Sequence, residues 1–156
     1  MIPVLQIKVD VKGGVWMAHE IPVKVRFCET DALGHISNIS YFIYLEEART
    51  EFFGHLGFQT EIDDWQVILA SASCDFVNQG FYKQKLKVIT EISKIGNSSF
   101  SLVHRIEDAE TGTVIAKGKA SAVHFNFQTQ RSERIPDQIR KELEKHQIKE
   151  VSHNEK

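Results

Sequence analysis

Within the stretch Glu29 to Leu56, an aspartate, a glycine and a histidine crowd into one short polar turn, at Asp31, Gly34 and His35. A carboxylate so placed can act as a nucleophile or hold a water as general base. A neighbouring histidine can orient either one. Directly after the turn, Asn38 opens the most continuous helical pattern in the chain. The first turn of a helix offers N–H donors without intrahelical partners and the positive end of the macrodipole. Acid, histidine and helix start together suit chemistry in which negative charge develops on an oxygen.

The helix must be positioned for this to work. Tyr41, Leu45, Ala48, Phe52 and Leu56 recur every three or four residues and share one face, with Phe42, Arg49 and Phe53 in a second row. So many aromatic side chains predict a helix mostly wrapped by other structure. Ser37 or Asn38 is expected to cap its first amides, and Gly57 to take the left-handed turn that ends it.

The remaining pattern is mostly strand. Ile21, Val23, Val25 and Phe27 alternate with Lys24 and Arg26. After a linker, strands are predicted over Val67 to Val77, Lys85 to Ile95, Phe100 to Ile106 and Val114 to Phe127, with turns at Gly96-Asn97 and Asp108 to Gly112. Ala116, Gly118, Ala120 and Ala122 make a small-residue face on which a bulky helix can lie close. This is an α+β plan, an antiparallel sheet curled around one long buried helix. Residues 1–20 read as an N-terminal arm or edge hairpin, 21–136 as the main domain, and 137–156 as a charged, weakly amphipathic C-terminal helix or tail that frays.

Composition narrows the function classes. A chain of 156 residues is one domain by size, with 42% hydrophobic and 26% charged residues. A formal net charge of −2 gives no electrostatic reason to expect nucleic acid or an anionic membrane. No apolar run reaches membrane-spanning length, and the first residues lack the build of a secretory signal. Cys28 and Cys74 are too far apart for a CxxC motif and read as reduced thiols of a cytoplasmic protein. His104 and His124 lack a third ligand at metal-binding spacing, so no metal site is expected.

The run VRFCETDALGHISNISYFIYLEEARTEFF resembles the signature of hotdog-fold acyl-CoA thioesterases of the 4-hydroxybenzoyl-CoA thioesterase-like family. It carries the acid-bearing turn and the helix E-x-x-R, matching at Glu29, Thr30, Asp31, Gly34, His35, Asn38, Tyr41, Glu46 and Arg49. SKIGNSSFSL and AKGKASAVHFNFQTQRSERIP resemble later stretches of the family, so the likeness spans about Val23 to Pro136. Two departures are Ser37, where an asparagine is common, and VNQGFYKQK, which lacks a proline usual before the second long strand.

The resemblance implies a hotdog fold that hydrolyses an acyl-CoA thioester, with no metal or organic cofactor. Asp31 would be nucleophile or general base, His35 an orienting group or a pin for the turn, and the backbone N–H near Asn38 a donor to the thioester oxygen. Gly34 would shape the turn, and Tyr41 would touch substrate or anchor the core. Lys94, Ser98, Arg131 and Arg134 are candidate contacts for the nucleotide of coenzyme A. Family members work as dimers with sites at the interface, so a homodimer or tetramer is expected. A related branch uses a helix glutamate, which keeps Glu47 in view as an alternative acid. Three other readings stand beside this one: an acyl carrier protein (acyl-ACP) thioesterase, an enoyl-CoA hydratase-like enzyme and a non-catalytic acyl-CoA-binding module. Against the hydratase, the Asp-to-His spacing is one residue short and lacks its proline.

Overall fold

A computed structural model describes residues 4–9 and 13–149. Strands β1 (Val4–Val9) and β2 (Val15–Lys24) pair as a hairpin, and α1 (Asn38–Leu56) follows. Then come β3 (Val67–Phe76), β4 (Lys85–Ile95), β5 (Ser99–Asp108), β6 (Val114–Asn126), the short β7 (Arg131–Ser132) and α2 (Asp137–Lys145). The sheet order is β1-β2-β4-β5-β6-β3, with β7 beside β6, and every pairing is antiparallel. This is the α+β architecture expected from the residue pattern. Bulges in β3, β4 and β6 break the register and let the sheet bend around the helix.

The predicted helix face lies against the sheet, with Tyr41, Leu45, Ala48, Phe52 and Leu56 all buried. The small-residue face of β6 receives it. A Cβ on Gly118 would come within 2.8 Å of Leu45 Cδ1, so a glycine there lets the helix sit close. Two apolar clusters divide the core along α1. Tyr41, Tyr44 and Leu45 meet Leu86, Ile106 and Ala116 near the helix start. Phe52, Phe53 and Leu56 meet Ile92, Phe100 and Ile135 near its end.

Several expectations need correction. The helix is covered on one side only, and its other side leaves Ile39, Phe42 and Ile43 exposed. The strand before it begins at Val15 rather than Ile21, because β1 supplies Val15 to Glu20 with a partner. Phe27 does not continue that strand inward, since a 3-10 turn at Phe27–Glu29 turns it out to solvent. The C-terminal helix is docked, with Ile139 and Leu143 buried one turn apart and Ile135 sealed beneath them. Its many charges hide those two anchors from a composition reading. Residues 150–156 of that segment and 1–3 and 10–12 of the N-terminal one lie outside the described residues. No helix among the described residues is long and apolar enough to cross a membrane.

Candidate active site

The acid-bearing turn is a closed loop. Asp31 N–H donates to His35 O at 2.8 Å, and Asp31 Oδ1 accepts the N–H groups of Leu33 (2.8 Å) and His35 (3.2 Å). An aspartate suits this position because its short side chain bonds its own backbone. Gly34 completes the turn at φ +76°, a left-handed angle that other residues resist. Asp31 itself is exposed, and Oδ2 has no partner among the described residues.

Two neighbours hold the loop. Behind it, buried Glu29 accepts from Arg26 N–H (2.8 Å), the Arg26 guanidinium (3.1 Å) and the Tyr44 hydroxyl (3.1 Å). Burial pushes the Glu29 carboxyl up, but these bonds outweigh it and hold the group below its usual range. On the other side the 80–82 segment clasps the turn. Ile36 N–H donates to Gly80 O at 2.9 Å, Tyr82 N–H donates to Gly34 O at 3.2 Å, and the His35 ring stands edge-on to Phe81 at 5.2 Å. Glycine at position 80 leaves room for this approach, because a Cβ would fall 2.2 Å from Ile36 Cδ1 and force that side chain aside.

The helix start differs from the expected cap. Ser37 takes the N-cap position, but its hydroxyl pairs with Ser40 Oγ at 2.8 Å instead of bonding a backbone N–H. Ser40 is positioned to do this because it also donates to Glu29 O at 2.9 Å. The amides of Asn38 and Ile39 consequently have no acceptor among the described residues. Around them stand exposed apolar side chains, Phe27, Leu33 and Ile39, while Phe81 and Tyr82 are half-exposed.

Asp31, Gly34, His35 and Asn38 are therefore brought together. Tyr41 is in the core, against Phe76 (5.1 Å) and Tyr44 (6.4 Å). Burial raises its phenol pKa, offset in part by the Gly80 backbone. Lys94, Ser98 and Arg131 are elsewhere. They sit where β4 ends, β5 begins and β6 is finishing, beside the Val67 end of β3; the turn adjoins the Phe76 end. A ten-residue strand separates the two ends by about 30 Å. Arg134 pairs with Asp137 at 2.7 Å, and Glu47 is exposed on α1. A groove of about 540 Å³ lined by Asn78, Gln79, Phe81, Gln84 and Asp108 opens beside the clasp, and Asp31 does not line it.

The model of one protein family, the thioesterase-like superfamily, matches residues 25–143, a span that includes the turn, the helix and the whole sheet beyond them. The chain belongs to that superfamily, and it is a thioester hydrolase. Among relatives of this superfamily member, the uncharacterized protein YsmA of Bacillus subtilis (strain 168) is 36% identical over 60% of this chain and 67% of its own. The structure of a predicted thioesterase from Bacillus stearothermophilus superposes with a TM-score of 0.79 at 34% identity, covering 86% of this chain and 99% of that one. A thioesterase from Thermus thermophilus, complexed with coenzyme A and Zn, shares the fold at TM-score 0.71 and 24% identity, over 80% and 95% of the two chains.

Residue reasoning gave no role to Glu29 or Gly80, although both hold the turn of this thioesterase-like chain in shape. A signal for Gly80 was present, an isolated glycine in a loop that approaches another backbone. The bonds from Arg26 to Glu29 are local, three residues apart, whereas the bond from Tyr44, fifteen residues away, has no local pattern to reveal it.

Proposed function

We propose that this chain hydrolyses acyl-CoA thioesters, taking R–CO–S–CoA and water to the free acid and coenzyme A, at a seam between two copies. One observation carries the reading: a turn aspartate with a free Oδ2 leads into a helix whose first two amides lack acceptors among the described residues. Charge on the thioester oxygen would be met by the Asn38 amide and the helix dipole. Asp31 would attack the carbonyl to form a mixed anhydride that water cleaves, or deprotonate that water. His35, fixed by Phe81, would orient the reacting groups. Coenzyme A in a fold relative supports CoA as carrier.

The two-copy seam follows from the split of candidate residues. Strand β3 pairs only with β6, so its outer edge is unpaired among the described residues, and long open edges invite pairing. Antiparallel pairing of β3 with its copy would set the Phe76 end of one chain beside the Val67 end of the other. Lys94, Ser98 and Arg131 of one copy would then approach Asp31 of the other copy.

Thiol release from a panel of acyl-CoA and acyl-ACP thioesters tests the reaction. Release from CoA esters that Asp31→Asn removes is expected; binding without release in the parent chain refutes catalysis. Mixing Asp31→Asn with Arg131→Ala chains tests the seam. A composite site regains activity in mixed dimers, whereas a site within one chain does not.

A further inference from the structure

Three histidines from distant parts of the chain meet at the far end of α1, and the proposed reaction uses none of them. His19 lies on β2, His55 in the last turn of α1, and His146 caps α2. Their rings approach at 5.3 Å (His19–His55) and 5.2 Å (His55–His146), and Phe52 packs against all three. His19 and His146 are fully buried.

The bonding fixes the protons. His146 Nδ1 lies 2.9 Å from Met17 O, and a carbonyl only accepts, so Nδ1 carries the hydrogen. The neutral ring then presents a lone pair at Nε2, 3.2 Å from His55 Nε2, which must donate. That contact holds one proton. A second would set N–H against N–H. Neither ring nitrogen of His19 has a partner among the described residues, so a proton there would be buried without a bond.

What these rings hold is the chain's last described segment. Ile92 N–H donates to His146 O (3.0 Å) and Ile148 N–H to Ile92 O (2.9 Å), pinning the residues after α2 to β4. Ile139 and Leu143 seal the apolar side of α2.

We propose that residues 137–149 form a proton-sensitive latch, closed on α1 and β4 while His19 and His146 are neutral and released by mild acid. Few charges are near enough to oppose this. On α2, Glu142 favours a charged His146, but it is already bonded to Lys145 (2.6 Å), which disfavours one. Glu51 is exposed one turn before His55. From β4, Thr90 pairs with His19 across the sheet; beyond it stand His104 on β5 and buried Arg49 on α1. On β1 the partner of His19 is Leu5. Glu20, Glu91 and Lys87 belong to the opposite face of the sheet, where Lys87 pairs with Glu20 and Arg105 with Glu91.

Burial first, then the other two rings, lowers His19 to about 4, and burial lowers His146 as well. A released histidine near 6.5 takes protons that the latched one refuses. The latch is therefore at full strength above pH 6.5 and weakens as pH falls toward 4. The gap between about 4 and 6.5 sets a ceiling of about 300-fold on what His19 adds to the latch equilibrium, reached only where opening frees its ring from Phe52 and His55 as well.

Hydrogen exchange on the full chain at about pH 7.5 and pH 5, corrected for intrinsic rates, tests this without reference to catalysis. The expected result is at least a roughly tenfold rise in opening of residues 137–149 at the lower pH, with the strands at 85–126 still protected. His19→Leu, which needs no proton, should blunt that response. Should His19→Leu fail to fold, half-buried His55→Gln, which can still donate to His146, should blunt it too. Equal protection of 137–149 at both pH values would overturn the latch. So would loss of the strands together with the segment, or an undiminished pH response in the folded variants.

Discussion

The two ends of α1 are finished in opposite ways. At the C-terminal end Gly57 turns left-handed at φ +99°, and its N–H and that of Phe58 return to Gly54 and Phe53 carbonyls. Aromatic side chains, α2 and three histidines close over that end. At the N-terminal end the available cap hydroxyl bonds another serine, two amides have no acceptor among the described residues, and Phe27, Leu33 and Ile39 face outward. A helix end left with donors and apolar neighbours exposed is built to be completed by something else. Under the proposed function, the closed end would supply stability and the open end chemistry.

Phe52→Ala should produce the largest effect if that division holds. Phe52 is fully buried among Ile92, Leu102 and the histidines, and a buried Phe→Ala change costs about 3–5 kcal/mol. Chemical denaturation should show this loss, while turnover per folded molecule at low temperature stays close to the parent value. A comparable fall in turnover, with stability intact, would erase the distinction between the ends.

Asp31→Asn is the mirror experiment. Asparagine keeps an Oδ1 that can accept from Leu33 and His35, so the turn should survive and stability should change by less than about 0.5 kcal/mol. Thioester hydrolysis should fall at least about 100-fold, or roughly 2.7 kcal/mol in the barrier. Retained turnover would move the chemistry away from this turn.

How much of this is legible without coordinates depends on the distance over which each residue acts. The helix face, Gly57 and the strands β4 to β6 follow from spacings within a few residues, and the small face of β6 already implies a close helix. Asp31, Gly34, His35 and Asn38 are visible as one turn because they are neighbours in the chain. The docking of α2 is not, because two anchors, Ile139 and Leu143, are outnumbered by charges and only Ile135 and Phe52 give them meaning. The separation of Lys94, Ser98 and Arg131 from Asp31 is also hidden. It depends on strand order, in which β3 leaves its place in the chain to form an edge.

A smaller effect is expected at Glu29, which supports the open end from below. Glu29→Gln keeps the side-chain shape but removes the charge that Arg26 and Tyr44 bond. A hydrogen bond to a charged group contributes about 1.5–3 kcal/mol, and Gln preserves part of it, so a loss of about 1–2 kcal/mol at neutral pH is expected. The pH dependence has a definite sign. The folded carboxyl is held below the unfolded value of 4.5, so its contribution is complete above that pH and is lost as pH falls through the lower folded value. Denaturation midpoints for parent and variant should converge on acidification below pH 4.5; a constant gap would mean the charge is irrelevant.

Gly34→Ala should be a comparably mild change in stability and the finest probe of the open end. There is room for a methyl group, since nothing lies within 4 Å of the Cβ position. The whole cost is backbone strain at φ +76°, about 1–2 kcal/mol for an L residue. That strain would be felt where Asp31 Oδ1 accepts two amides, so it should distort the carboxylate as much as destabilise the fold. Turnover should therefore fall several-fold more than the stability change alone explains, with KM less affected than kcat. An alanine variant with parental kcat would show that the turn tolerates distortion and that the geometry of the site does not depend on this loop.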